Sequence, residues 1–149
     1  MPKFSEGKEL NTNKGSSLEK RLEYLERNLG SEVALTELFG VSDRTIRYWR
    51  LGSRNISKTA LLLLQRIEKE IKKGKTFKRV TSKIPLRERL EVLEAKLSSD
   101  EAVGDLLGVS GRTVRHWKIG TRMISETALL LLERVESELL SKEAMNRLY

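Results

Sequence analysis

Arg44 and Arg47 lie three residues apart with Tyr48 beside them, and Arg112 and Arg115 repeat that spacing with His116 in place of the tyrosine. Residues three or four apart share one face of a helix. Each cluster would therefore present two guanidiniums and one polar ring together. A guanidinium is always charged and offers a planar fork of donors. That fork suits paired acceptors: a carboxylate, a phosphate, or the O6 and N7 of a guanine. More cations follow each cluster, Arg50 and Arg54 in one and Lys118 and Arg122 in the other.

The clusters belong to a larger duplication. Residues 18–71 recur as residues 86–139, 68 positions later and without a gap, and 30 of the 54 aligned positions are identical. Gly40-Val41-Ser42 matches Gly108-Val109-Ser110, Trp49 matches Trp117, and Arg54 matches Arg122. Two modules of that size are predicted, each small enough to be only marginally stable alone. The boundaries read as a tail at 1–17, a module at 18–72, a linker at 73–85, a second module at 86–140 and a tail at 141–149. A module written twice suits a target that also repeats.

The charge is segregated rather than spread. The chain carries a net +8, yet residues 42–54, 110–122 and 73–85 alone carry +3, +4 and +5, so the remainder is negative. A basic excess confined to two matching segments and the stretch between them reads as an electrostatic footprint for phosphate. With no cysteine and a single histidine, His116, aligned with Tyr48, neither disulfides nor a metal site is expected. No clustered carboxylates fall outside the helical surface pattern, so no enzyme and no cofactor are expected. No stretch approaches ~18 consecutive apolar residues, and a soluble, cytoplasmic, DNA-associated protein with no membrane partner is the expectation.

The elements that must position these groups read as all-α, four helices per module. Leu18, Leu22, Leu25 and Leu29, and their copies Leu86, Leu90, Leu93 and Leu97, have helical spacing, the first helix opening at an N-cap, Ser17. Ser31 and Ser99 read as caps of a second helix that closes at Gly40 or Gly108. Ser42 and Ser110 cap a third, which closes at Gly52 or Gly120. Ser57 and Ser125 cap a fourth, through the four-leucine runs. On that helix Leu61, Leu64, Ile67 and Ile71 form one apolar stripe, leaving Leu62 and Leu63 partly outside it. Such a helix is wrapped by its own module or packs between repeats or between two chains; the second case implies self-association through helix 4.

Taken from Glu32, each module has apolar residues at Leu35, Phe39, Val41, Ile46 and Trp49, or Val103, Leu107, Val109, Val114 and Trp117, with a small residue, Thr36 or Gly104, between the helices. This pattern resembles the helix-turn-helix of the phage repressor and Cro type over about 20 residues per repeat. The resemblance implies two tandem helix-turn-helix domains on double-stranded DNA, with the third helix of each in the major groove. It carries over to Ser42, Asp43, Arg44, Arg47, Tyr48, Arg50 and Arg54, and to Ser110, Gly111, Arg112, Arg115, His116, Lys118 and Arg122. Arg54 and Arg122 are expected near the DNA backbone. Two departures limit it. The first position, commonly a phosphate-touching glutamine, is Glu32 or Asp100, which phosphate would repel. Asp43 faces Gly111 in the copy, so related but unequal half-sites are expected.

The linker's Lys75, Lys78 and Arg79, with Phe77, could lie along the backbone or in the minor groove as a basic arm. Its thirteen residues reach roughly 43–47 Å when extended, beyond the ~34 Å of one DNA turn. Two roles stay open at this point: a sequence-specific transcriptional regulator, or an architectural or partition-type nucleoprotein that coats repeated sites.

Overall fold

The computed structural model of the chain describes residues 15–74 and 83–148. Among these residues there are eight α-helices and no strand. In chain order they are α1 (Gly15–Leu29), α2 (Glu32–Phe39), α3 (Asp43–Leu51), α4 (Lys58–Lys72), α5 (Leu86–Leu97), α6 (Asp100–Leu107), α7 (Gly111–Ile119) and α8 (Glu126–Leu148). Lys75, Phe77, Lys78 and Arg79 lie outside the described residues.

The caps explain most boundaries. Ser31 Oγ accepts from the Ala34 amide at 3.2 Å and Ser99 Oγ from Ala102 at 3.1 Å. Ser42 and Ser110 do the same for Thr45 and Thr113 at 3.2 and 3.1 Å. Each satisfies a donor that the first helical turn leaves without a partner. The outer ends differ from expectation. α1 opens at Gly15, placing Ser17 inside the helix, and α8 runs to Leu148 where a tail was expected. Residues 141–148, Ser-Lys-Glu-Ala-Met-Asn-Arg-Leu, hold no Gly or Pro and mostly strong helix formers, so nothing local stops α8.

The chain divides into two compact units at Ser57 and Lys58, not inside the linker at 73–85. The first unit thus holds α1 to α3. Its core is Leu18, Leu22 and Leu25 of α1, Leu35 and Phe39 of α2, and Ile46 and Trp49 of α3, all essentially buried. Phe39 and Trp49 meet edge to face, 5.7 Å between ring centroids. Full burial of side chains this large contributes roughly 1.5–3 kcal/mol each, far more than any surface ion pair. Ile46 and Trp49 thereby fix which face of α3 points outward.

The second unit builds the same trio from α5 to α7, with Leu90, Leu93, Val103, Leu107, Val114 and Trp117 buried. It also holds α4 and the 23-residue α8. On α4 the buried residues are Thr59, Ala60, Leu63, Leu64 and Ile67. The stripe is therefore rotated from the expected one, with Leu63 inside and Leu61 and Ile71 only half-buried. On α8 every residue from Leu130 to Val135 is buried, including Glu133 and Arg134.

Two ion pairs join these helices reciprocally. Arg134 Nε lies 3.0 Å from Glu70, and Arg66 Nη1 lies 3.2 Å from Glu138. Residues 134 and 138 are the copies of 66 and 70, so α4 and α8 meet in a local two-fold relation. The N-terminus of α4 also sits on the α6–α7 turn, where Thr59 Oγ1 donates to the Leu107 carbonyl at 2.7 Å. Gly108 is needed there twice over. Its φ is 74°, and a Cβ would lie 2.8 Å from the Thr59 backbone nitrogen. These contacts explain why α4 groups with the second repeat although its sequence ends the first.

Candidate nucleic-acid interface

The outer face of α3 carries Asp43, Arg44 and Arg47, all exposed, with Tyr48 half-buried at its edge. Arg44 Nε donates to Tyr48 Oη at 2.8 Å. Just past the helix, the Ser53 and Arg54 amides both turn back onto the Tyr48 carbonyl, at 3.1 and 3.3 Å. That closing turn, with Gly52 left-handed, brings the Arg54 guanidinium to 5.0 Å from the centre of the Tyr48 ring. Arg44 lies 5.4 Å from the same ring. Two guanidiniums thus flank one phenol, positioned by aromatic and hydroxyl contacts while both arginines stay exposed.

In the second unit the same turn places Arg122 beside His116, with the Thr121 and Arg122 amides 3.1 and 3.4 Å from the His116 carbonyl. His116 Nδ1 lies 2.7 Å from Thr121 Oγ1. Arg112 and Arg122 are exposed. The matched faces therefore offer Arg44, Arg47 and Arg54 in one unit and Arg112, Arg115 and Arg122 in the other.

Arg50 and Lys118, expected on DNA, are directed inward instead. Arg50 Nη2 lies 2.6 Å from Glu26 and 3.7 Å from Glu32. Lys118 Nζ lies 2.7 Å from Glu94 and 2.8 Å from Asp100. Each cation ties the first helix of its repeat, α1 or α5, to the start of the second, α2 or α6. Burial pulls the Lys118 pKa down, but hydrogen bonds and attraction from Asp100 and Glu94 outweigh it, and the pKa is raised overall. The acid at the first position of the motif is explained by this bridge: Glu32 and Asp100 bind a cation of their own unit. Their sequence separation from Arg50 and Lys118 hid the partnership.

Gly111 is also not a surface group. It is buried under the Glu101 side chain, and a Cβ on it would lie 2.5 Å from Glu101 Oε2. Glu101 in turn holds Arg115, Oε2 to Nη1, at 3.0 Å, with Asp100 3.7 Å from the same nitrogen. The Arg115 hydrogen bond holds the Glu101 pKa below its usual value. In the first unit Arg47 pairs instead with Asp43, one turn back on its own helix, at 3.5 Å. Glu101 was missed in the sequence, although a signal existed: its counterpart is Val33, while the counterpart of Asp43 is glycine. The acid has changed position between the copies. Ser42 and Ser110 are exposed at the helix starts, their hydroxyls engaged in capping.

No family model matches this chain, and comparisons with curated proteins and with solved structures found no match either. Among the described residues no helix is long and apolar enough to cross a membrane.

Proposed function

We propose that this chain is a sequence-specific double-stranded DNA-binding protein acting as a transcriptional regulator, with α3 and α7 as major-groove reading helices of two helix-turn-helix modules. One observation carries the reading. Each of these helices buries its apolar face through Ile46 and Trp49, or Val114 and Trp117, and turns Arg44 and Arg47, or Arg112 and Arg115, outward. The major groove admits an α-helix, and arginine bonded to guanine O6 and N7 is the commonest specific contact there. The serine-capped helix starts and the net charge of +8 add attraction for phosphate.

The roles divide by surroundings. Arg47 and Arg115 sit mid-helix on the outer face and read base edges. Arg44 and Arg54 around Tyr48, and Arg112 and Arg122 near His116, hold the backbone on either side.

Selection of bound fragments from a random duplex pool, followed by footprinting, tests this. Two related half-sites are expected. Arg47→Ala and Arg115→Ala should each relax base preference in one half-site only, by about 1–3 kcal/mol. With six to ten phosphates contacted, affinity should fall roughly 10³–10⁵-fold between 50 and 200 mM salt. Salt-sensitive binding with no enriched motif would mark a coating protein, and no binding at low salt would refute both roles.

A further inference from the structure

Both reading helices carry an arginine already matched to a carboxylate, but the two carboxylates come from unrelated positions. Asp43 supplies it from within α3, at 3.5 Å from Arg47. Glu101 supplies it from α6, at 3.0 Å from Arg115, across a buried glycine that leaves the space for it. Among the described residues the remaining outward arginines of these faces, Arg44, Arg54, Arg112 and Arg122, meet no such acid: Arg44 and Arg54 meet Tyr48. Both pairs are largely exposed, so neither adds much to folding. Their consequence lies in what else those arginines can bind.

We propose that Asp43 and Glu101 are specificity-determining positioning residues that hold Arg47 and Arg115 away from phosphate and toward base edges. The inference rests on the DNA-reading function above. A carboxylate beside the guanidinium cancels its long-range attraction for the anionic backbone and repels any phosphate that approaches it. It also engages one terminal nitrogen of the fork, Nη2 of Arg47 or Nη1 of Arg115, leaving the other donors for a base edge. A base edge carries only partial charge and is repelled far less than a phosphate. Non-specific binding, which is essentially all phosphate contact, is thereby weakened more than binding at the correct base pair.

The test compares wild-type protein, Glu101→Gln and Asp43→Asn on the selected site and on random-sequence duplex across a salt series. Each substitution removes charge from an exposed side chain and keeps its size, and thermal melting checks that the fold is intact. Asp100, 3.7 Å from the same Arg115 nitrogen, is already matched to Lys118 at 2.8 Å. Loss of the nearer acid should therefore let each arginine take one additional phosphate, steepening the salt slope on random duplex by about 0.9. The ratio of specific to non-specific affinity should fall about tenfold, the equivalent of 1.4 kcal/mol. A relocated acid, Glu101→Val with Gly111→Asp, copies the first unit's arrangement into the second and should restore both values. An unchanged slope and ratio in both single variants, with wild-type still discriminating, would overturn this role while leaving the DNA reading intact. Failure of wild-type to bind any duplex would remove the DNA reading itself, and this role with it.

Discussion

Lys118 and Arg115 are three residues apart on one helix, yet their surroundings give them opposite roles. Arg115 is about half exposed, whereas Lys118 keeps 14% of its side-chain surface and faces Asp100, which keeps 7%. Replacing Lys118 by Met would leave Asp100 as a buried carboxylate without its closest counter-charge. A loss of roughly 1–3 kcal/mol is expected, read by urea denaturation. Binding should change little per folded molecule, and the salt slope should stay as in wild type. A slope shallower by about 0.9 would instead place Lys118 on a phosphate. The paired change Lys118→Arg with Asp100→Glu imports the acid and base of the first unit and should recover most of the lost stability. Of the expected surface residues, the outward arginines were legible from helical spacing alone. Arg50, Lys118 and Gly111 were not, because burial by Glu26, Glu94 or Glu101 depends on how separate helices cross.

At the scale of elements, the two copies differ at the turns. Gly104 of α6 faces the α6–α7 turn so closely that a Cβ would lie 2.4 Å from the Val109 carbonyl oxygen. The first copy has Thr36 here, with its hydroxyl donating to the Val33 carbonyl at 2.6 Å. Gly104→Ala should therefore destabilise the second unit by about 1–3 kcal/mol, since the obstruction is backbone. The opposite case is Ser98, which closes α5 with φ at 85°, where the first copy has Gly30 at 92°. A left-handed non-glycine residue costs roughly 1–2 kcal/mol. Glycine gives back about half of that through the unfolded chain. Ser98→Gly should raise stability by roughly 0.5–1 kcal/mol on these figures, seen as a higher midpoint in thermal melting. Glycine and serine punctuation located both ends of α2, α3, α6 and α7 and the starts of α4 and α8 in the sequence, because caps are local chemistry. The extent of α8 escaped it, since a missing stop signal is weaker evidence than a present one.

At the scale of the molecule, α4 ends the first repeat in sequence and packs with the second repeat's α8. The reciprocal pairs Arg134–Glu70 and Arg66–Glu138 are what two copies of one helix would make about a two-fold axis. A fragment of residues 1–72 keeps α4 but loses α8, exposing Leu63, Leu64 and Ile67. It is expected to self-associate, Arg66 of each copy taking Glu70 of the other. Sedimentation should then show a dimer whose melting temperature rises with concentration. A fragment that stays monomeric with α4 fully helical would show that α4 does not need a partner of this kind.

The sequence by itself determined the all-α class, the duplicated unit, the cap positions and the outward arginines. All of these follow from periodicity and from hydrogen bonds spanning a few residues. Only the tertiary structure decided which cations turn inward, where the acid beside Arg47 or Arg115 comes from, and which repeat α4 joins. Those outcomes depend on contacts between residues dozens of positions apart. Ion pairs and apolar stripes there have several possible partners of equal chemistry, and packing alone selects one.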